Sequence, residues 1–151
     1  MTQISAYLHF NGNCREAMTF YQQCLGGELT LLAVGESPMA EHFPAYMSEH
    51  IMHADLKLDG AVLMASDLAL DEAIGHAVSM MIECDSEADV HEKFARLAEG
   101  GEVLHPLEHT FWGSTFGDLT DQFGFHWYLN FSHPKSAQPT DYQTNNQFVL
   151  S

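Results

Sequence analysis

The chain has 151 residues, enough for one domain with a core, and no apolar run long enough to span a bilayer. With 21 acidic against five basic residues its net charge is −16, so it would repel a phosphate backbone, which argues against a nucleic-acid role. The start lacks the basic residues and apolar middle of a secretion signal, and the expected location is the cytoplasm.

Ile4 to Phe10 is apolar and aromatic, as a mostly buried strand should be. Asn11-Gly12-Asn13 is a turn signal, and Asn13 suits a helix N-cap with Glu16 in the capping-box position. Ala17, Phe20, Tyr21, Cys24 and Leu25 then recur at helical spacing, and Gly26-Gly27 ends the helix. Glu28 to Gly35 is a strand candidate. From Glu36 to Glu49, Ser37-Pro38, Phe43-Pro44 and scattered Met and Glu mark a surface loop with room for a helical turn near Ala45–Ser48. A loop of this length inside a compact domain is often a lid. His50 to Asp59 and Ala61 to Ser66 form a hairpin about Asp59-Gly60. Asp67 to Gly75 reads as an acidic linker.

His76 to Cys84 is the next strand, followed by a helix capped by Ser86, with Val90, Phe94, Leu97 and Ala98 as its stripe and Gly100-Gly101 as its stop. Glu102 to Leu104 starts a short strand that Pro106 should break, leaving His105 to Gly113 as a loop. Ser114 to Thr120 and Phe125 to Phe131 are strands about an Asp121…Gly124 turn. The polar stretch 132–151 reads as a flexible tail, in which Phe148-Val149-Leu150 could dock on the body or on a partner. Cys14, Cys24 and Cys84 lack metal-ligand spacing and read as reduced, partly buried thiols.

Both helices close on Gly-Gly-Glu-apolar, at Gly26-Gly27-Glu28-Leu29 and Gly100-Gly101-Glu102-Val103. Each half then runs strand, loop, strand, glycine turn, strand. The order is βαβββ twice, which predicts two equivalent units.

Several segments together carry a family pattern. They are Tyr7 to Cys14 with Phe20-Tyr21, Ile51 to Leu56, Leu63 to Asp67, Trp112-Gly113, and Thr120 to Trp127. On these the chain resembles the vicinal oxygen chelate superfamily (glyoxalase I, bleomycin-resistance proteins, extradiol dioxygenases) and, within it, the PhnB-like branch. The resemblance implies an α+β fold of two βαβββ modules forming a cupped mixed sheet around a small-molecule cavity. One domain over 1–131 is expected, with modules at about 1–68 and 76–131 and the tail at 132–151. A homodimer is also implied. Some relatives carry a demethylubiquinone methyltransferase label, but no glycine-rich loop opens a helix here.

Enzymes of the superfamily hold one divalent ion with side chains from four strands, two per module. Aligned to that pattern, the ligand positions fall at Ala6, Met64, Ser79 and Tyr128, which supply no hard-cation set, so no cofactor is expected. A non-standard site drawn from His9, His53 and a loop histidine stays open as an alternative. Strand alternation extends the lining from those four positions to Leu8, Phe10, Met81, Glu83 and His126. His53 is a pocket-wall candidate, Phe111 and Trp112 are placed to cap a ligand, and Trp127 should lie under a helix. Glu83 is the one candidate acid or base, provided it is buried. No nucleophilic triad is visible.

The expectation is a metal-free binding protein of the bleomycin-resistance type for a small aromatic or cationic molecule, with no nucleic-acid or membrane partner. The alternative is an enzyme: a metal-dependent lyase, isomerase or dioxygenase with relocated ligands, or a metal-independent one using Glu83 or a His.

Overall fold

The structure, a computed structural model, describes residues 2–68, 74, 75 and 77–134. The chain divides into two units, residues 1–73 and 74–151, with the same element order. The first runs β1 (Ala6–His9), α1 (Cys14–Leu25), β2 (Glu28–Ala33), β3 (Ile51–Leu58) and β4 (Ala61–Ser66). The second runs β5 (Met80–Glu83), α2 (Glu87–Ala98), β6 (Glu102–His109), β7 (Ser114–Thr120) and β8 (His126–Ser132). Each unit makes a mixed four-stranded sheet, ordered β1-β4-β3-β2 and β5-β8-β7-β6. In each, first and last strands pair in parallel and the other neighbours are antiparallel. This is the fold of two βαβββ modules expected from the repeat. Among the described residues no helix is long and apolar enough to cross a membrane.

One face of each sheet is buried beneath its helix. In the first unit Ala17, Met18, Tyr21 and Cys24 of α1 are buried together with Leu8, Ala54, Leu56, Leu63 and Ala65 of the strands. In the second, Val90, Phe94 and Leu97 of α2 are buried with Leu119, Trp127 and Leu129. Trp127 lies under its helix as expected, and its indole N–H donates to Asp121 Oδ2 at 2.8 Å.

The helix starts are solved differently. Ser86 caps α2 by accepting the Asp89 amide at 3.0 Å. Asn13 makes no side-chain cap at α1. The buried Asp67 takes its place: Oδ1 accepts the amides of Gly12 (2.8 Å) and Cys14 (2.9 Å), and Oδ2 accepts that of Ile51 (2.8 Å). A full charge outcompetes a neutral amide oxygen for these donors.

The 36–49 segment is an irregular loop with three 3-10 turns, Val34–Glu36, Ala40–His42 and Ala45–Met47. Its ends are tied where the Val34 amide donates to the His50 carbonyl and the Gly35 amide to the Ser48 carbonyl, both at 2.8 Å. The break expected at Pro106 does not occur, and β6 runs through to His109. β6 is an edge strand, where a missing N–H costs no ladder bond, and its pairing with β7 shifts register on either side of His105. The 69–73 part of the linker, His76 and the 135–151 part of the tail lie outside the described residues.

Candidate functional site

The face of the second sheet opposite α2 carries a connected polar and aromatic array. Pairing sets Met81 beside Tyr128, Asp118 beside Tyr128, Phe116 and Glu83 beside Asn130, and Thr120 beside His126. Directly paired residues share a face, so this face is the one the alternation from Ser79 and Tyr128 predicts. Ser79 Oγ lies 2.5 Å from His126 Nδ1, and His126 Nε2 lies 2.6 Å from Asp118 Oδ2. Asp118 Oδ1 is 2.6 Å from His105 Nδ1. A carboxylate only accepts hydrogen bonds, so His126 Nε2 donates to it. On the neutral ring Nδ1 is then the acceptor, and the Ser79 hydroxyl donates to it. Asp118 is buried and takes a donor on each oxygen.

Aromatic rings stand beside this chain. Phe116 and Tyr128 stack with centroids 5.4 Å apart and planes 13° from parallel. His126 meets the Tyr128 ring edge-on at 4.7 Å, and Trp112 lies 6.2 Å from Phe116. Phe111 packs against Trp112 and is itself exposed, as is Met81. The structure thus brings together Ser79, Met81, Trp112, His126 and Tyr128 and adds Phe116, Asp118 and His105. The array joins residues on four separate elements, so no local spacing announces it.

Glu83 is not the buried acid required for chemistry. It is exposed, and its oxygens accept from Asn130 Nδ2 (2.7 Å) and the Ser132 amide (3.0 Å), tying β5 to the end of β8.

In the first unit the expected lining needs correction. Ala6 pairs with Leu63, whereas Tyr7 pairs with Met64. Leu8 and Phe10 are therefore on the opposite side of the sheet from Met64. They are buried core, 7% and 5% exposed, and no lining. The residues that share Met64's face are Tyr7, His9, His53 and Asp55, with Tyr7 5.2 Å from His9 and 6.1 Å from His53 between ring centroids. His53 Nε2 is 3.6 Å from Asp55 Oδ2. A one-residue slip in reading β1 turned its side chains over.

Of the four positions that the resemblance implies as metal ligands, the one on β1 falls on Tyr7 rather than Ala6 when Met64 is kept, and Met64, Ser79 and Tyr128 are unchanged. The donors are two phenols, a thioether and a neutral hydroxyl. Ser79 is already engaged with His126 and Tyr128 is stacked on Phe116. These groups do not fit a hard divalent cation.

The family model described as 3-demethylubiquinone-9 3-methyltransferase matches residues 2–130. Protein YjdN of Escherichia coli K12 is 32% identical over 137 residues, covering 84% of this chain and 93% of that protein. The crystal structure of PA1353 from Pseudomonas aeruginosa is 43% identical with a TM-score of 0.77, over 89% of this chain and all of that one. A PhnB protein from Bacillus cereus, bearing the same methyltransferase description, is 26% identical with a TM-score of 0.69, over 87% of this chain and all of that one.

Proposed function

The chain belongs to that family, the PhnB-like branch of the vicinal oxygen chelate superfamily, and from this footing we propose that it is a small-molecule-binding protein of the bleomycin-resistance type. It works as a cytoplasmic homodimer and without a metal at the superfamily position. The observation that carries this reading is the face of the second sheet opposite α2, where the Phe116–Tyr128 stack adjoins the Ser79–His126–Asp118–His105 chain. Flat rings offer a planar ligand stacking area, and the polar chain fixes its orientation. The net charge of −16 favours a cationic or neutral guest over an anionic one. The family's methyltransferase description does not extend to this reading. The turn before α1 has one glycine, whose amide is spent on Asp67, and Cys84-Asp85-Ser86 before α2 has none. Neither is an open glycine-rich cradle for a nucleotide-type cofactor.

The test is a thermal-shift screen of planar aromatic amines on tag-free protein in the presence of a chelator. A ligand at one hundred times its Kd stabilises by about 2.7 kcal/mol. The shift should vanish in Phe116→Ala, and a shift unchanged in both Phe116→Ala and His126→Gln would sink the assignment. A second reading, a metal-independent enzyme, has the His126 geometry in its favour, because its Nδ1 already receives the Ser79 hydroxyl. Labelling of Ser79 by a fluorophosphonate, abolished in His126→Gln, would select that reading over simple binding.

A further inference from the structure

On the other side of the second sheet, at the rim where α2 begins, a second group of polar side chains converges. Glu87 opens α2, His109 ends β6, Thr115 is the second residue of β7, and His133 follows β8. Thr115 pairs with Phe131 and His109 and, by alternation, shares the face of Leu119, which is buried against α2. Asp118, Phe116 and Tyr128 are on the opposite face. The two groups are therefore separate sites on one sheet.

We propose that Glu87, His109 and His133 form a binding site for a divalent transition-metal ion of the zinc class, distinct from the superfamily position. Their ligand atoms all lie within 4.8 Å of one another. His109 Nε2 is 3.4 Å from Glu87 Oε2, and His133 Nε2 is 3.4 Å from Glu87 Oε1. Two ligands of a tetrahedral zinc with bonds of about 2.0–2.1 Å stand about 3.4 Å apart. Each imidazole nitrogen stands at that separation from one oxygen of the Glu87 carboxylate, His109 from Oε2 and His133 from Oε1. One turn along the helix, His91 Nε2 reaches Glu87 Oε2 at 2.8 Å and helps hold the carboxylate. Two imidazoles and one carboxylate are zinc-type donors, whereas magnesium and calcium take oxygen cages.

The surroundings suit the role. Thr115, fully buried, donates to Glu87 Oε1 at 2.7 Å and aims the carboxylate, and its oxygen accepts from His133 Nε2 at 2.8 Å, a hydrogen bond the ion would displace. Orienting a ligand through a hydrogen bond from behind is how protein metal sites fix their first shell. The ion would clip the start of α2 to the ends of β6 and β8. Sequence reading missed the group because its members are more than twenty residues apart, with no short-range spacing motif.

The experiment uses full-length, tag-free protein stripped of metal, with Zn²⁺ titrated by calorimetry and Co²⁺ by visible absorption. One ion per chain is expected, with the intense absorption bands of tetrahedral Co²⁺. His109→Ala/His133→Ala should weaken binding at least 100-fold, and His53→Ala should leave it within threefold. Because His109 is exposed, His109→Gln alone supplies a variant that keeps the fold, with an expected loss of at least tenfold. No stoichiometric Zn²⁺ binding, or binding within threefold of the parent in both variants, overturns the site. Neither result bears on the ligand screen above, which is run in chelator.

Discussion

Asp67 organises the first module at the level of single atoms. Its carboxylate gathers three backbone amides from three parts of the chain, the turn before α1, the start of α1 and the start of β3. Asp121 plays a comparable part in the second, accepting from the amides of Phe123 and Phe125 and from the Trp127 indole. The Asp67 charge also bears on the thiol of Cys14, which is fully buried. Burial chiefly, and the negative Asp67 next, push that thiol up to about 12, while Arg15 opposes them. Cys84, also buried, is pushed up to about 11 for the same first reason. An unfolded thiol ionises near 8.5. Above about pH 8.5 the unfolded chain has thus lost protons that the folded chain keeps, so stability falls as pH rises toward the folded values. Each thiol contributes a slope of about 1.4 kcal/mol per pH unit once its unfolded form is ionised. Urea unfolding between pH 8 and 10 should show this decline. Cys14→Ala, whatever it costs at pH 7, should remove its share of the slope, and an unchanged slope would refute the assignment.

At the level of elements, the repeated Gly-Gly has a steric cause that the sequence repeat only hinted at. A Cβ on Gly27 would meet the Lys57 carbonyl at 2.5 Å, and one on Gly101 would meet the Thr120 carbonyl at 2.2 Å. In both modules the second glycine lets the strand after the helix lie against the end of its neighbour. The first glycines serve the turn: Gly26 has φ of 76° and open space around it. Gly101→Ala should therefore cost far more than Gly26→Ala, which pays only about 1 kcal/mol of backbone strain. The backbone clash at Gly101 puts its cost at roughly 3 kcal/mol or more. Equal shifts in melting temperature would show that the close approach is not as described. Helix stripes, glycine stops and the βαβββ repeat were legible because they are local periodicities. The face of β1 was not, since a four-residue strand with Ala6, Tyr7, Leu8 and His9 has no clean alternation, and only its pairing with β4 decides it. Pro106 misled for the opposite reason: its rule holds for central strands, and the edge position of β6 is a property of the whole sheet. In the candidate site, Ser79 and Tyr128 came from the family resemblance and His126 and Met81 from alternation, but Phe116, Asp118 and His105 join them only through cross-strand neighbours.

For the whole molecule, the charge imbalance is the dominant long-range term. Of the five basic residues, Lys93 and Arg96 pair with Asp89 and Glu92 along α2. Helix pairs of this kind, one turn apart near the surface, are worth only about 0.3–0.5 kcal/mol each. Against the five bases stand 21 acids, an excess of 16. Screening should weaken the repulsion more than it weakens the few attractions. Raising NaCl from about 10 mM to about 0.5 M shortens the Debye length from about 30 Å to about 4 Å. The folded state confines these charges in a smaller volume than the unfolded chain does, so it gains more from that screening. The melting temperature should rise with salt, by the equivalent of on the order of 1 kcal/mol. Sodium sulfate would confound the test by strengthening apolar burial, so chloride is the salt to use. A melting temperature that falls across this range would mean that specific ion pairs outweigh the net repulsion. The acidity would then need an explanation at the binding face rather than in the field of the whole chain.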